Sequence, residues 1–125
     1  MDLIQYHWLH ILGLMSVFLG LGFSVGAKAI EAGNGSPRKL RIPASILHGV
    51  GMLVLLVSGF GSLAKLGMVG GMAEFPTWVW IKLLVWLALG MMVTVVKRTQ
   101  LNVTALSALF LILGSLAAFA AFWKP

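Results

Sequence analysis

The sequence predicts an all-α integral membrane protein, a four-helix up-down bundle, on three observations. First, 60% of the residues are hydrophobic and only 10% are charged, whereas a soluble domain carries about 25% charged residues. Second, the apolar residues are gathered into four long runs. Third, short polar segments separate these runs. So few charges do not cover a surface that faces water, and we expect one transmembrane domain over residues 1–125.

Each apolar run reaches the roughly 20 residues that a helix needs to cross the hydrocarbon of a bilayer. The runs cover Leu3–Ala27, Pro43–Lys65, Thr77–Val96 and Leu101–Phe122. The connections "KAIEAGNGSPRKLR", "GMVGGMAEFP" and "KRTQ" are polar or rich in glycine and proline. Because short connections make consecutive helices antiparallel neighbours, the predicted architecture is an up-down bundle.

The basic residues predict the orientation. They concentrate in the first and third connections, at Lys28, Arg38, Lys39, Arg41, Lys97 and Arg98. The positive-inside rule places these connections in the cytoplasm and both termini outside, as in a multi-pass protein of a bacterial inner membrane. Asp2 and no basic residue precede the first run, which favours a retained helix over a signal peptide.

Small residues predict where helices approach closely. Gly22 and Gly26 are four residues apart in the first helix, and Gly114 and Ala118 repeat this spacing in the fourth. Small side chains let helix backbones come together in lipid. These faces indicate either packing within the bundle or a homodimer contact.

The composition excludes several kinds of site. The chain has no cysteine, which excludes disulfides, thiolate metal sites, iron–sulfur clusters and covalently attached haem. It carries no nucleic-acid motif, and the topology explains most of its excess positive charge. The bilayer is therefore the expected partner, with no nucleic acid.

Four ionisable residues fall inside the apolar runs, at His7, His10, His48 and Lys82. Such residues usually face the bundle interior or a water-filled cavity. At 1.5 Å per residue, His10 lies ~10 Å into the first helix and Lys82 ~8 Å into the third, counted from the same side. His7 shares the face of His10. His48 lies near the other side, too far from His10 to bind the same iron.

Three interpretations of these residues stay open. In the first, His10 ligates the iron of haem b and Lys82 is a second ligand or pairs with a propionate. In the second, His7 and His10 bind copper together with Met68 and Met72 of "MVGGM", because thioethers suit Cu(I). In the third, Lys82 extends to the headgroups, His7 is an interfacial residue, His10 and His48 are packed and hydrogen-bonded, and the protein has no cofactor.

The chain resembles a group of four-helix membrane proteins at these same residues. The matching segments are "WLHI", which contains His10, "LRIPASIL" with the following "LLVSG", "WVWIKLLVWLALG", which contains Lys82, and the terminal pair Lys124–Pro125. On these segments the chain is similar to the HemJ-type protoporphyrinogen IX oxidases and to the CopD-like and SirB-like proteins. His48 is closer to the SirB-like pattern.

The resemblance implies a b-type haem with His10 as a ligand and Lys82 as a second ligand or catalytic group. In the oxidases the reaction would convert protoporphyrinogen IX to protoporphyrin IX and pass electrons to quinone. The chain differs from that family in having His7 where the family has a lysine and Trp80 where it has a histidine. It also lacks a histidine near Val93 and is shorter.

Overall fold

The computed structural model describes residues 1–33, 35–68, 70–99 and 102–123, and within them the chain forms a bundle of four long helices. These are α1 (Leu3–Ala32), α2 (Arg38–Lys65), α3 (Thr77–Arg98) and α4 (Val103–Trp123), with one 3₁₀ turn at Met72–Glu74 before α3. All four helices are long and apolar enough to cross a membrane. The predicted all-α four-helix bundle is confirmed, and it is the architecture of a small multi-pass membrane protein.

All four helices extend beyond the apolar runs that predicted them, α1 and α2 by five residues each and α3 and α4 by two and one. α1 continues from Ala27 to Ala32, and α2 begins at Arg38, ahead of Pro43. Pro43 lacks the N–H that would bond to the carbonyl of Lys39. Because Lys39 is exposed, water can satisfy that carbonyl and the helix continues. The predicted start of the fourth helix at Leu101, and the Lys124–Pro125 pair, lie outside the described residues.

The polar residues at the helix ends fix where helices begin. Asp2 caps α1 in a capping box: Gln5 N–H donates to the Asp2 side chain at 2.8 Å, and Asp2 N–H donates to the Gln5 side chain at 2.9 Å. Asn102 caps α4, where its side-chain oxygen accepts from Ala105 N–H at 2.8 Å. These bonds satisfy N–H groups that the first turn of a helix leaves without partners.

The bundle has two chemically different ends. We call the end with the α1–α2 and α3–α4 connections the basic end, because it carries Lys28, Arg38, Lys39, Arg41, Lys97 and Arg98. We call the other the terminal end, because α1 begins there and α4 finishes there. At the basic end, the Lys28 ammonium donates to the carbonyls of Val96 (2.7 Å) and Thr99, so a cation neutralises the C-terminal end of α3.

The apolar core occupies the middle of the bundle and the half toward the basic end. It combines residues from all four helices, at Val17, Leu21, Val25, Met52, Leu55, Val85, Leu89, Met92, Val96, Leu106 and Phe110. α1 and α2 pack along most of their length, α4 packs on α3 and α1, and α3 also contacts α2. Trp86 strengthens the last of these contacts, since its indole N–H donates to the Met52 carbonyl at 3.0 Å.

Glycines bring the backbones of α1 and α2 into direct contact. A Cβ at Gly20 would lie 2.8 Å from His48 N and 2.9 Å from Ala44 O. A Cβ at Gly51 would lie 2.9 Å from both Val17 N and Gly13 O. No real Cβ atom approaches backbone so closely, and these positions therefore require glycine.

The small residues named in the sequence analysis make weaker contacts between helices than Gly20 and Gly51 do. Gly114 packs against the Phe18 ring, and Gly26 lies near the Leu40 side chain. Ala118 is exposed. Gly22 has open space where a Cβ would stand, so packing within the bundle does not explain it. A homodimer contact through these faces stays a prediction.

Candidate functional site

His10 is held at the interface between α1 and α2, on the side of the terminal end. The glycine contacts between these helices set their spacing, and two turns beyond Gly51 along α2 Ser58 and Gly59 face His10. His10 Nδ1 lies 3.0 Å from Ser58 Oγ. Ser58 is almost fully buried, at 1% exposure. The sequence predicted His10 and did not predict this partner.

The Ser58 hydroxyl determines which nitrogen of His10 carries the proton. Its Oγ lies 2.6 Å from the Val54 carbonyl, a short distance typical of a donated bond, and 3.3 Å from the Leu55 carbonyl. With its own proton given to a carbonyl, the hydroxyl accepts from His10 Nδ1–H. The hydrogen-bond network therefore assigns His10 the tautomer whose Nε2 carries a free lone pair.

Two further glycines of α2 make room for aromatic rings of α1. A Cβ at Gly59 would lie 3.5 Å from His10 Cε1, in van der Waals contact with the imidazole. A Cβ at Gly61 would lie 2.1 Å from Tyr6 Cε1, so the Tyr6 ring occupies the space that any other residue would fill. The segment "SGFGS" of α2 thus receives the first two turns of α1.

Lys82 of α3 completes the cluster from the opposite hairpin. Its ammonium lies over the Trp78 ring, 5.0 Å from the centroid, within the range of a cation–π interaction. Trp78 precedes Lys82 by one turn, so the side chain extends toward the terminal end. Lys82 and His7 both lie within electrostatic range of the His10 imidazole. We call His10, Ser58, Gly59, Trp78 and Lys82 the His10 site.

The structure separates the other predicted residues from this site to different degrees. His7 is exposed on the same helix, one turn nearer the terminal end. His48 is 6% exposed and sits at the closest contact of α1 and α2. Ten residues of α2 separate it from Ser58, or ~15 Å along the helix axis, so His48 and His10 belong to two sites.

His48 has unusual surroundings. Neither ring nitrogen has a hydrogen-bond partner within the described residues, although both are buried. The carbonyls of Val17 and Gly90 lie near the ring but do not have hydrogen-bond geometry to it. An unpaired polar group inside a protein costs free energy, which makes His48 a position where apolar substitution is informative.

Each methionine of the α2–α3 connection follows a glycine in the left-handed region. Met68 is half-buried and follows Gly67 (φ 78°), while Met72 follows Gly71 (φ 117°). The Met72 side chain lies outside the described part of the structure. Among described residues, no three His, Asp or Glu side chains gather as a metal-binding group, so a copper site here requires thioether ligands.

Sequence reasoning missed Ser58, Gly59 and the contact of Trp78 with Lys82. Serine and glycine are common in membrane helices, and nothing in their local pattern separates a histidine partner from a packing residue. Trp78 lies in the segment "WVWIKLLVWLALG" that carries the resemblance, and sequence reasoning assigned it no contact with Lys82. Its spacing of four from Lys82 was the available signal, because residues four apart meet on one helix face.

Comparison of the chain with known protein families, with curated proteins and with solved structures found no match.

Proposed function

We propose that this protein is a membrane haem b protein with a redox role, in which His10 Nε2 ligates the iron. The observation that carries the proposal is the bond between His10 Nδ1 and Ser58 Oγ. Histidines that bind metals almost always donate their other ring N–H to a fixed acceptor, which sets the tautomer and the ring orientation. His10 meets this requirement inside an apolar helix pair.

The surrounding residues fit such a group in charge and in space. Gly59 leaves the imidazole edge uncrowded. The Lys82 ammonium supplies a positive charge that a propionate carboxylate would pair with. Residues 3–12 of α1 include no buried side chain, so this part of the bundle has apolar surface to cover a porphyrin. His7 lies at the outer edge, and His48 is excluded from the same iron by its distance.

A bound haem would supply one-electron redox chemistry. The protein residues then have separate tasks. Ser58 holds the His10 tautomer, Lys82 orients a carboxylate and holds a proton near the reacting ring, and the apolar side chains exclude water. Lys82 is the residue that we propose as the catalytic group.

A more specific proposal is motivated by the resemblance. It is the oxidation of protoporphyrinogen IX to protoporphyrin IX with quinone as the electron acceptor. Each pair of electrons and protons removed from the porphyrinogen reduces one quinone to its quinol, so no other oxidant is needed. Appearance of porphyrin fluorescence in liposomes that contain protein, porphyrinogen and quinone, measured without oxygen, tests it. A rate equal to that of protein-free liposomes would remove this activity while leaving haem binding intact.

The haem proposal is tested by an absorption spectrum of detergent-purified protein, with haemin added, before and after dithionite. We expect a Soret band that sharpens on reduction in the wild type and is lost in His10→Ala. His48→Ala is the matched control, because it removes a buried histidine of the other site and keeps the band. A wild type that takes up no haemin, or equal loss in both variants, contradicts the proposal.

The position of His7 favours a second candidate function, the binding of copper. His7 is exposed, shares one face of α1 with His10, and lies within electrostatic range of it. Together with Met68 and Met72 these residues have the donor types that suit Cu(I). Isothermal titration with Cu(I) under reducing conditions tests this function, and an absence of binding heat removes it. A protein that binds neither haem nor copper would have the non-catalytic role, with His10 and Ser58 as a structural contact.

A further inference from the structure

A small cavity opens at the basic end, between α1, α2 and α3. Its volume is about 60 Å³, and it is lined by Ser24, Lys28, Glu31, Arg41, Ser45, Val96 and Lys97. A cavity needs roughly 10–15 Å³ for each water, so this one has room for on the order of four oxygen atoms. That is the size of one phosphate group.

The lining of the cavity is cationic. Lys28, Arg41 and Lys97 contribute three positive charges, and Glu31 contributes the one negative charge. Three further basic residues, Arg38, Lys39 and Arg98, belong to the same end of the bundle. The chain therefore gathers most of its net charge of +6 around this cavity.

The cations are fixed in place while keeping donors available. The Lys28 ammonium is anchored by the carbonyls of Val96 and Thr99. The Arg41 guanidinium pairs with Glu31 through one nitrogen, and a guanidinium has five N–H donors. Planar, multidentate donors of this kind suit phosphate oxygens.

We propose that this cavity binds the phosphate group of an anionic phospholipid in the leaflet at the basic end. The cavity lies beside the basic residues that end the apolar stretches of the helices, and in a bilayer such residues are at the depth of the lipid headgroups. Basic pockets between membrane helices recognise such headgroups. Ile42 and Ile46 follow Arg41 and Ser45 directly on α2 and are 55% and 58% exposed, which provides an apolar surface for an acyl chain beside the phosphate.

The proposal is tested by native mass spectrometry of the detergent-purified, delipidated chain, titrated with phosphatidylglycerol or with phosphatidylcholine of the same acyl chains. We expect one retained phosphatidylglycerol per chain and no comparable phosphatidylcholine adduct. Lys97→Gln lowers phosphatidylglycerol affinity about fivefold, the effect of one cation at a membrane surface. Lys65→Gln is the control: it removes the same charge at the terminal end and leaves retention unchanged.

Two variants of one ion pair separate lipid binding from a structural role. Arg41→Gln removes a cation and lowers retention about fivefold, whereas Glu31→Gln removes the competing carboxylate and raises it by about the same factor. Both variants break the same salt bridge. If that bridge had only a structural role, lipid retention would therefore change in the same direction in both variants. Circular dichroism checks that each variant is folded. Parallel losses in the two variants, or equal retention of both lipids, would overturn the proposal.

Inorganic phosphate distinguishes a lipid from a free anion. If the site takes phospholipid, a large excess of phosphate weakens phosphatidylglycerol retention only as much as the same ionic strength of chloride does. If phosphate displaces the lipid far better than chloride does, the cavity is a site for a free anion and the lipid proposal is wrong.

Discussion

Near the basic end, core side chains of α1 such as Val17, Leu21 and Val25 are buried against three other helices, whereas near the terminal end residues 3–12 of α1 are all at least partly exposed. The His10 site lies in this second half, where α1 is less buried although α2 and α3 still bury Leu63 and Val79. The site depends on the α1–α2 pair and on one cation from α3. The difference indicates that the two halves of the bundle have different roles. The core and the glycine contacts hold the helices together, and the other half keeps polar side chains at an accessible interface.

The largest expected effect on the free energy of unfolding comes from the loss of core packing in the half toward the basic end. Leu21 is fully buried, and Leu21→Ala should lower the free energy of unfolding by about 2 kcal/mol, the low end for such cavities. The low end applies because lipid replaces water as the surrounding solvent. Leu12 is 54% exposed, and Leu12→Ala should change stability little. Unfolding in mixed detergent, followed by circular dichroism, compares the two. Equal losses would mean that the two halves are packed alike.

Overpacking at the α1–α2 contact should have a similar or slightly smaller effect. Gly20→Ala places a methyl group 2.8 Å from backbone of α2, and separating the helices should cost about 1–3 kcal/mol. Gly22→Ala is the matched control two residues away, where a Cβ meets open space. The same unfolding measurement applies. A stable Gly20→Ala protein would show that the helices separate at little cost.

The interhelical bond of the His10 site should contribute less to stability and more to ligand binding. Ser58→Ala removes the bond to His10 and should cost about 0.6 kcal/mol, the average for hydrogen bonds between membrane helices. If His10 ligates haem, loss of its orienting partner should weaken affinity about 10–100-fold. Ser62→Ala is the control, because Ser62 Oγ donates only within α2, to the Ser58 carbonyl at 2.9 Å. Haemin titration of both variants gives the comparison, and unchanged affinity in Ser58→Ala would argue against Nε2 ligation.

Apolar run length predicted the four helices because membrane spans require about 20 apolar residues with few charges. The same pattern placed His10 and Lys82 at equal depth from one side of the membrane. Run length predicts that α2 begins at Pro43, whereas exposed polar residues continue the helix back to Arg38. It also did not find Ser58 as the partner of His10, because the rotation of α2 about its own axis depends on the contacts at Gly20 and Gly51, and spacing within one helix does not encode it.

The smallest expected effect on stability is that of replacing His48. This replacement tests whether the buried histidine at the tight α1–α2 contact has a polar partner. Both ring nitrogens are buried without a hydrogen-bond partner among the described residues. Replacing an unsatisfied polar side chain by an apolar one of similar size is close to neutral or stabilising, so His48→Leu should change the free energy of unfolding by less than about 0.5 kcal/mol. The control is His48→Asn, which keeps a polar group of smaller volume and should be less stable than His48→Leu. If His48→Leu is instead strongly destabilised, the imidazole is bonded to a water or ligand in the membrane, and the tightly packed half of the bundle would contain a second polar site of its own.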